Sequence, residues 1–134
     1  MALIRTDKLP VATGDDIVIV RQRVRALAVE LRLSLVDQTK IVTAASELAR
    51  NTVVHGGGGV VELELLAEAG RRGIRLTFTD HGPGIADIEA AMRDGYTTGG
   101  GLGFGLGGAK RLSGEFEIYS RPGEGTVVRI TRWR

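Results

Sequence analysis

The chain has 134 residues, a formal net charge of +2, 43% hydrophobic and 25% charged residues, and no cysteine. That size and balance predict one soluble globular domain spanning residues 1–134, and they exclude a disulfide framework or a thiolate metal site. No apolar run has signal-peptide or membrane-span character, and aromatics at 4% leave few stacking groups for nucleic acid; a cytoplasmic protein with neither membrane nor nucleic-acid partner is expected.

Residues 2–12 alternate loosely around Pro10, which predicts an edge strand. Thr13 followed by Asp16 is a capping-box pattern, and 16–33 then reads as an amphipathic helix with Ile17, Val20, Val24, Leu27 and Leu31 on one face. A second helix is expected over 37–55, with Ile41, Ala44, Ala45, Leu48 and Thr52 turned to the core. Glu47, Asn51 and His55 fall at i, i+4 and i+8 and so share one stripe. A carboxylate and an amide in that arrangement can orient a water or complete a metal shell with phosphates; an ordinary solvent-facing stripe has the same spacing.

Residues 60–67 and 74–79 alternate as two strands joined by a turn at Gly70-Arg71-Arg72-Gly73. Asp80 has the parity of Ile74, Leu76 and Phe78, so it points to the covered face, where a lone carboxylate needs a donor. Gly82 and Gly84 follow it in the loop Asp80-His81-Gly82-Pro83-Gly84. A short helical segment at 86–92 precedes a glycine-dense stretch, 99–107. Glycine is over-represented, with 20 residues against a usual share of roughly one in fourteen. Such a loop can present successive backbone amides to an anion, with 104–112 offering a helix N-terminus. It is neither a Walker A loop nor a Rossmann fingerprint. A plain flexible loop is the alternative, but ordering so many glycines is entropically expensive unless a ligand helps. The chain closes with a hairpin, 114–120 and 126–132, turned at 121–125, with Phe116 and Ile118 inward. The order β-α-α-β-β-loop-α-β-β predicts an α/β (α+β) two-layer sandwich, its mostly antiparallel sheet covered on one face by helices.

Four segments, in order, resemble the signature boxes of the GHKL ATPase/kinase superfamily: Glu47-Leu-Ala-Arg-Asn51, Asp80-x-Gly82-x-Gly84, Gly101-Leu-Gly-Phe-Gly-Leu106 and Gly123-Glu-Gly-Thr126. The likeness covers essentially the whole chain. Within the superfamily, DQTKIVTAASELARN, DGYTTGGGLGFGLGGAKRL and the RPGEGTVVRITRWR tail are most similar to the switch serine/threonine kinases of the stressosome.

The resemblance implies the Bergerat ATP-binding fold, ATP and Mg²⁺ as cofactors, and a role for each matching residue. Asn51 would hold Mg²⁺, and Glu47 would act as general base or orient the attacking hydroxyl. Asp80 would accept from the adenine amine, with Thr126 completing that network through a water. Gly82 and Gly84 would let the backbone pass the base and ribose. Gly99, Gly101, Gly103, Phe104, Gly105 and Leu106 would belong to a lid wrapping the phosphates. The implied function is phosphorylation of a Ser or Thr on a STAS-domain stressosome protein, followed by release to bind and activate a PP2C-type phosphatase through its regulatory domain. An anti-sigma-factor kinase that sequesters a sigma factor and a non-catalytic ATP-dependent adaptor are the alternatives.

Overall fold

The structure, a computed structural model, describes residues 2–93 and 105–134. Strand β1 (Ala2–Val11) leads into helices α1 (Gly14–Glu30) and α2 (Leu35–Val54), then the hairpin β2 (Gly59–Glu68) and β3 (Arg71–Asp80). A single-turn helix α3 (Ile88–Ala91) and helix α4 (Gly105–Leu112) precede the hairpin β4 (Glu115–Ser120) and β5 (Thr126–Trp133).

The five strands form one sheet in the order β1-β2-β3-β5-β4, and every neighbouring pair is antiparallel. Pro10 lies on β1, an edge strand, where its missing N–H breaks no ladder bond on the outer side. Inward side chains of β2, β3 and β5 (Val61, Leu63, Ile74, Leu76, Phe78, Ile130) meet Val20, Val24, Ile41, Ala44, Ala45 and Leu48 of α1 and α2 in one buried core. The expected two-layer sandwich is therefore present.

Both long helices start on side-chain caps. Thr13 Oγ1 accepts from Asp16 N at 3.3 Å while Asp16 Oδ2 accepts from Thr13 N at 3.2 Å, so two otherwise orphaned donors are satisfied reciprocally. Ser34 Oγ accepts from Asp37 N at 3.1 Å to open α2. Helix α1 stops earlier than its periodicity predicts. Arg32 takes a φ of 60°, Arg32 N donates to Val29 O, and Leu33 N donates to Ala28 O, both at 3.0 Å. This is a Schellman ending with arginine where glycine is usual, and Leu33 still enters the core, 5% exposed.

The β2–β3 turn is also tighter than expected. Glu68 pairs with Arg71, leaving Ala69 and Gly70 as a two-residue loop with φ of 49° and 81°, the signature of a type I′ turn.

The face of the sheet away from the helices is covered by its own long side chains. Arg75 donates to both oxygens of Glu64, at 2.8 and 3.1 Å, and Arg129 Nε donates to Thr77 Oγ1 at 3.2 Å. Arginine stems lying over a sheet shield it from water while the charges stay hydrogen-bonded; Thr77 and Thr131 on this face are buried.

Candidate functional site

One row of the sheet positions the site. At its end, Gly59 pairs with Asp80, Asp80 with Thr126, and Thr126 with Ser120. Asp80, Thr126 and Ser120 share the inward parity of Phe78, Val128 and Ile118. The last turn of α2 and the first residues of α4 stand over this row, and together they bound a cavity of about 380 Å³, within the size range of small-molecule sites.

Asn51, Asp80, Gly84, Gly105, Leu106 and Thr126 all line the cavity. Six positions singled out in four separate stretches of sequence thus meet at one place. Phe78, Ile85, Ala91 and Val128 supply apolar wall. Glu47 lies one turn before Asn51 on α2, 7% exposed, and stands outside the lining residues. Gly82 is outside the lining as well. Gly99, Gly101, Gly103 and Phe104 lie outside the described residues.

Asp80 is held by its surroundings before any ligand is considered. Its Oδ1 accepts from Gly82 N at 2.9 Å, an Asx-type turn that bends the chain away from β3. Among the described residues, Oδ2 receives no hydrogen bond, so an acceptor is left at the cavity wall. Two glycines make room for this residue: a Cβ at Gly56 would stand 2.4 Å from Asp80 Cγ, and one at Gly125 would stand 2.2 Å from the Asp80 carbonyl oxygen.

The loop after Asp80 is stapled to the β4–β5 hairpin. Gly123 N donates to Pro83 O at 2.7 Å, and Ile85 N donates to Ser120 Oγ at 2.8 Å. Gly84, at φ 75°, carries no side chain because a Cβ there would lie 1.9 Å from Arg121 O. The close approaches at Gly82 and Gly84 are to protein backbone, Gly56 for the first and Arg121 for the second.

Helix α4 begins at the cavity, has no acidic residue in its first turn, and ends with Lys110 and Arg111. The positive dipole end of a helix suits an anion. His55 caps α2, its N–H donating to Asn51 O at 2.9 Å, and it also lines the cavity. No cluster of three or more His, Cys, Asp or Glu side chains able to hold a metal exists among the described residues. The side-chain amide oxygen of Asn51, a residue of the cavity lining, still fits Mg²⁺, which usually takes only one or two protein ligands and completes its shell with phosphates and waters.

Sequence reasoning gave no site role to three contributors: Gly56, Gly125, which lies inside the fourth box, and Ser120. The inward parity of Phe116 and Ile118 extends to Ser120 and was the available signal.

Residues 36–133 match the family model described as histidine kinase-, DNA gyrase B-, and HSP90-like ATPase. The chain is 46% identical over 123 residues to the serine/threonine-protein kinase RsbT of Bacillus subtilis (strain 168), covering 92% of each chain. It is 33% identical over 121 residues to the anti-sigma F factor of Anoxybacillus flavithermus (strain DSM 21510 / WK1), covering 84% of this chain and 80% of that one. Against the anti-sigma F factor of Thermoanaerobacter sp. (strain X514) the identity is 32% over 121 residues, covering 84% and 82%. No helix among the described residues is long and apolar enough to cross a membrane.

Proposed function

The chain belongs to the histidine kinase-, DNA gyrase B-, and HSP90-like ATPase family, and from that premise we propose that it is a cytoplasmic, single-domain protein serine/threonine kinase using ATP and Mg²⁺. Its proposed substrate is a STAS-domain protein of a stressosome partner-switching pathway, and once released it binds and activates a PP2C-type phosphatase. The observation that carries this reading is the convergence of Asn51, Asp80, Thr126 and the start of α4 on one cavity.

Bound ATP would supply the γ-phosphoryl group, and Mg²⁺ the charge neutralisation that phosphoryl transfer requires. The chain's own contribution is positioning. Asp80 supplies an acceptor for a base amine, and Thr126, adjacent to it across the β3–β5 pair, completes that network through a water. The N-terminus of α4 faces the phosphates. Asn51 presents its side-chain amide oxygen for the metal. Glu47, about 6 Å further back along the helix axis, is the proposed base or orienting group for the partner's hydroxyl, which approaches from outside the nucleotide cavity.

The switch-kinase reading is favoured over sigma-factor sequestration by the 46% identity to a named serine/threonine kinase, against 32–33% to the anti-sigma F factors. Incubation with Mg-ATP and a STAS-domain stressosome protein is expected to add one phosphate to that protein, read by intact mass. Substitution of Glu47 or Asn51 by Ala should abolish the product. Tight ATP binding without transfer points instead to an adaptor, and stable co-purification with a sigma factor to an anti-sigma factor.

A further inference from the structure

Ser120 stands behind the cavity wall, outside the lining residues, yet its hydroxyl has three close partners. Ile85 N donates to Ser120 Oγ at 2.8 Å. Ser120 Oγ lies 2.9 Å from the Gly125 carbonyl oxygen and 2.8 Å from Thr126 Oγ1. A hydroxyl has one proton and two lone pairs. The amide can only donate and the carbonyl can only accept, so Ser120 spends its proton on Gly125 O and one lone pair on Ile85 N. The remaining contact is satisfied in one way: Thr126 donates its proton to Ser120.

On the nucleotide reading above, we infer that Ser120 is a specificity-determining positioning residue that fixes the polarity of the Thr126 hydroxyl. With its proton turned back to Ser120, Thr126 Oγ1 presents only lone pairs to the cavity, and a water bridging it and Asp80 to the base commits both protons to these acceptors and offers the base a lone pair. Its neighbour in the sheet row, Asp80, is also an acceptor there. That end of the cavity therefore demands a donor edge. A 6-aminopurine supplies one, whereas a 6-oxopurine sets its O6 against two acceptors. Left unconstrained, the threonine hydroxyl is an indifferent group, able to donate or accept, and it would tolerate either base. The same three hydrogen bonds hold the loop after Asp80 and the β4–β5 turn together, so the polarity of Thr126 and the shape of the pocket floor are set by one side chain.

The test is to titrate the full chain with ATP and with inosine triphosphate by calorimetry. Wild-type protein is expected to prefer ATP. Ser120→Ala should reduce the ATP-to-ITP affinity ratio by about tenfold, the scale of one hydrogen bond turned from unfavourable to favourable, and Ser120→Thr should restore it. Thr126→Val removes the acceptor while leaving the bonds of Ser120 to Ile85 and Gly125 intact. It should lower the ratio similarly, and combining it with Ser120→Ala should add nothing further. Equal weakening of both nucleotides with the ratio intact, in either single variant, is what simple loosening of the loop produces and would overturn the inference while leaving nucleotide binding standing. Wild-type protein that binds neither nucleotide overturns the nucleotide reading and this inference with it.

Discussion

The Asp80 carboxylate rests against the backbone of Gly56, so closely that a methyl group there would lie 2.4 Å from Cγ and 2.5 Å from Oδ2. Gly56 N closes the end of α2 on Asn51 O at 3.1 Å, so the turn that follows Asn51 also shapes the seat of Asp80. Gly56 has no positive φ, and alanine can adopt its backbone conformation. Gly56→Ala is therefore a steric probe of Asp80. It should destabilise the fold by about 1–3 kcal/mol and weaken ATP binding roughly tenfold or more by pushing the carboxylate aside. Calorimetric titration and urea unfolding separate the two effects; full ATP affinity in this variant would show that the nucleotide does not depend on the Asp80 position.

Asp80→Asn changes chemistry at nearly constant shape. The amide oxygen can still accept from Gly82 N, so the turn and the fold are expected to survive, with a melting temperature close to wild type. One cavity acceptor becomes a donor. On the proposed reading, a site that accepts from the adenine amine then opposes it, and ATP affinity should fall roughly a hundredfold or more. Unchanged affinity would overturn the assignment of the site.

Much of this site was legible because its signals are local or periodic. The Thr13/Asp16 capping box sits within four residues, and strand parity alone turned Asp80 inward. The misses have non-local causes. Helix α1 ends at an arginine, Arg32, held in the left-handed region by two backbone bonds and by the burial of Leu33; with no glycine, the periodic pattern runs on past the true end. Ser120 acquires its role from three segments that meet only after the sheet is assembled. Glu64 reads as a solvent-facing residue by alternation, but Arg75 across the β2–β3 pair covers it.

Ala69 is an uncommon occupant of a type I′ turn, whose two central residues both need positive φ. Alanine pays a steric penalty there that asparagine, with a side chain able to bond locally, reduces. Ala69→Asn should stabilise the protein by about 0.5–1 kcal/mol, read as a higher urea midpoint at unchanged slope. It is far from the cavity in the sheet ladder, so ATP affinity should not move. A lower midpoint would mean that the turn differs from type I′ in solution.

Tyr119, exposed on the edge strand β4, donates to Glu117 Oε2 at 3.0 Å. That hydrogen bond, with the carboxylate charge, raises the phenol above its ordinary value of 10.0, against a lowering by Arg129. The contribution favours the neutral phenol, so it is fully present below pH 10 and is lost as pH rises through the higher folded value. In a Tyr96→Phe background, where Tyr119 is the remaining tyrosine, Glu117→Gln should move phenolate absorbance to lower pH. An unmoved titration would show that the bond does not persist in water.

Arg132 joins the far ends of the two helices that wall the cavity. Its Nη1 donates to Leu112 O at the end of α4 at 3.1 Å, and its Nη2 to Asp37 Oδ1 near the start of α2 at 2.7 Å. Asn51 and Gly105 line the cavity from the opposite ends of the same helices, so this clamp sets how α4 leans on α2. The arginine side chain is 18% exposed and Asp37 34%, which places the pair between surface and buried cases. Arg132→Met should therefore cost about 1–3 kcal/mol, less than breaking a fully buried pair. Asp37→Asn should cost less, because an amide oxygen still accepts from Nη2, and the double variant should show non-additivity of about 1 kcal/mol. On the proposed reading, in which the N-terminus of α4 faces the phosphates, ATP affinity should fall in Arg132→Met under conditions where the protein remains folded, because α4 shifts on α2. A stability loss with nucleotide affinity intact would confine Arg132 to the core and separate the lean of α4 from the clamp.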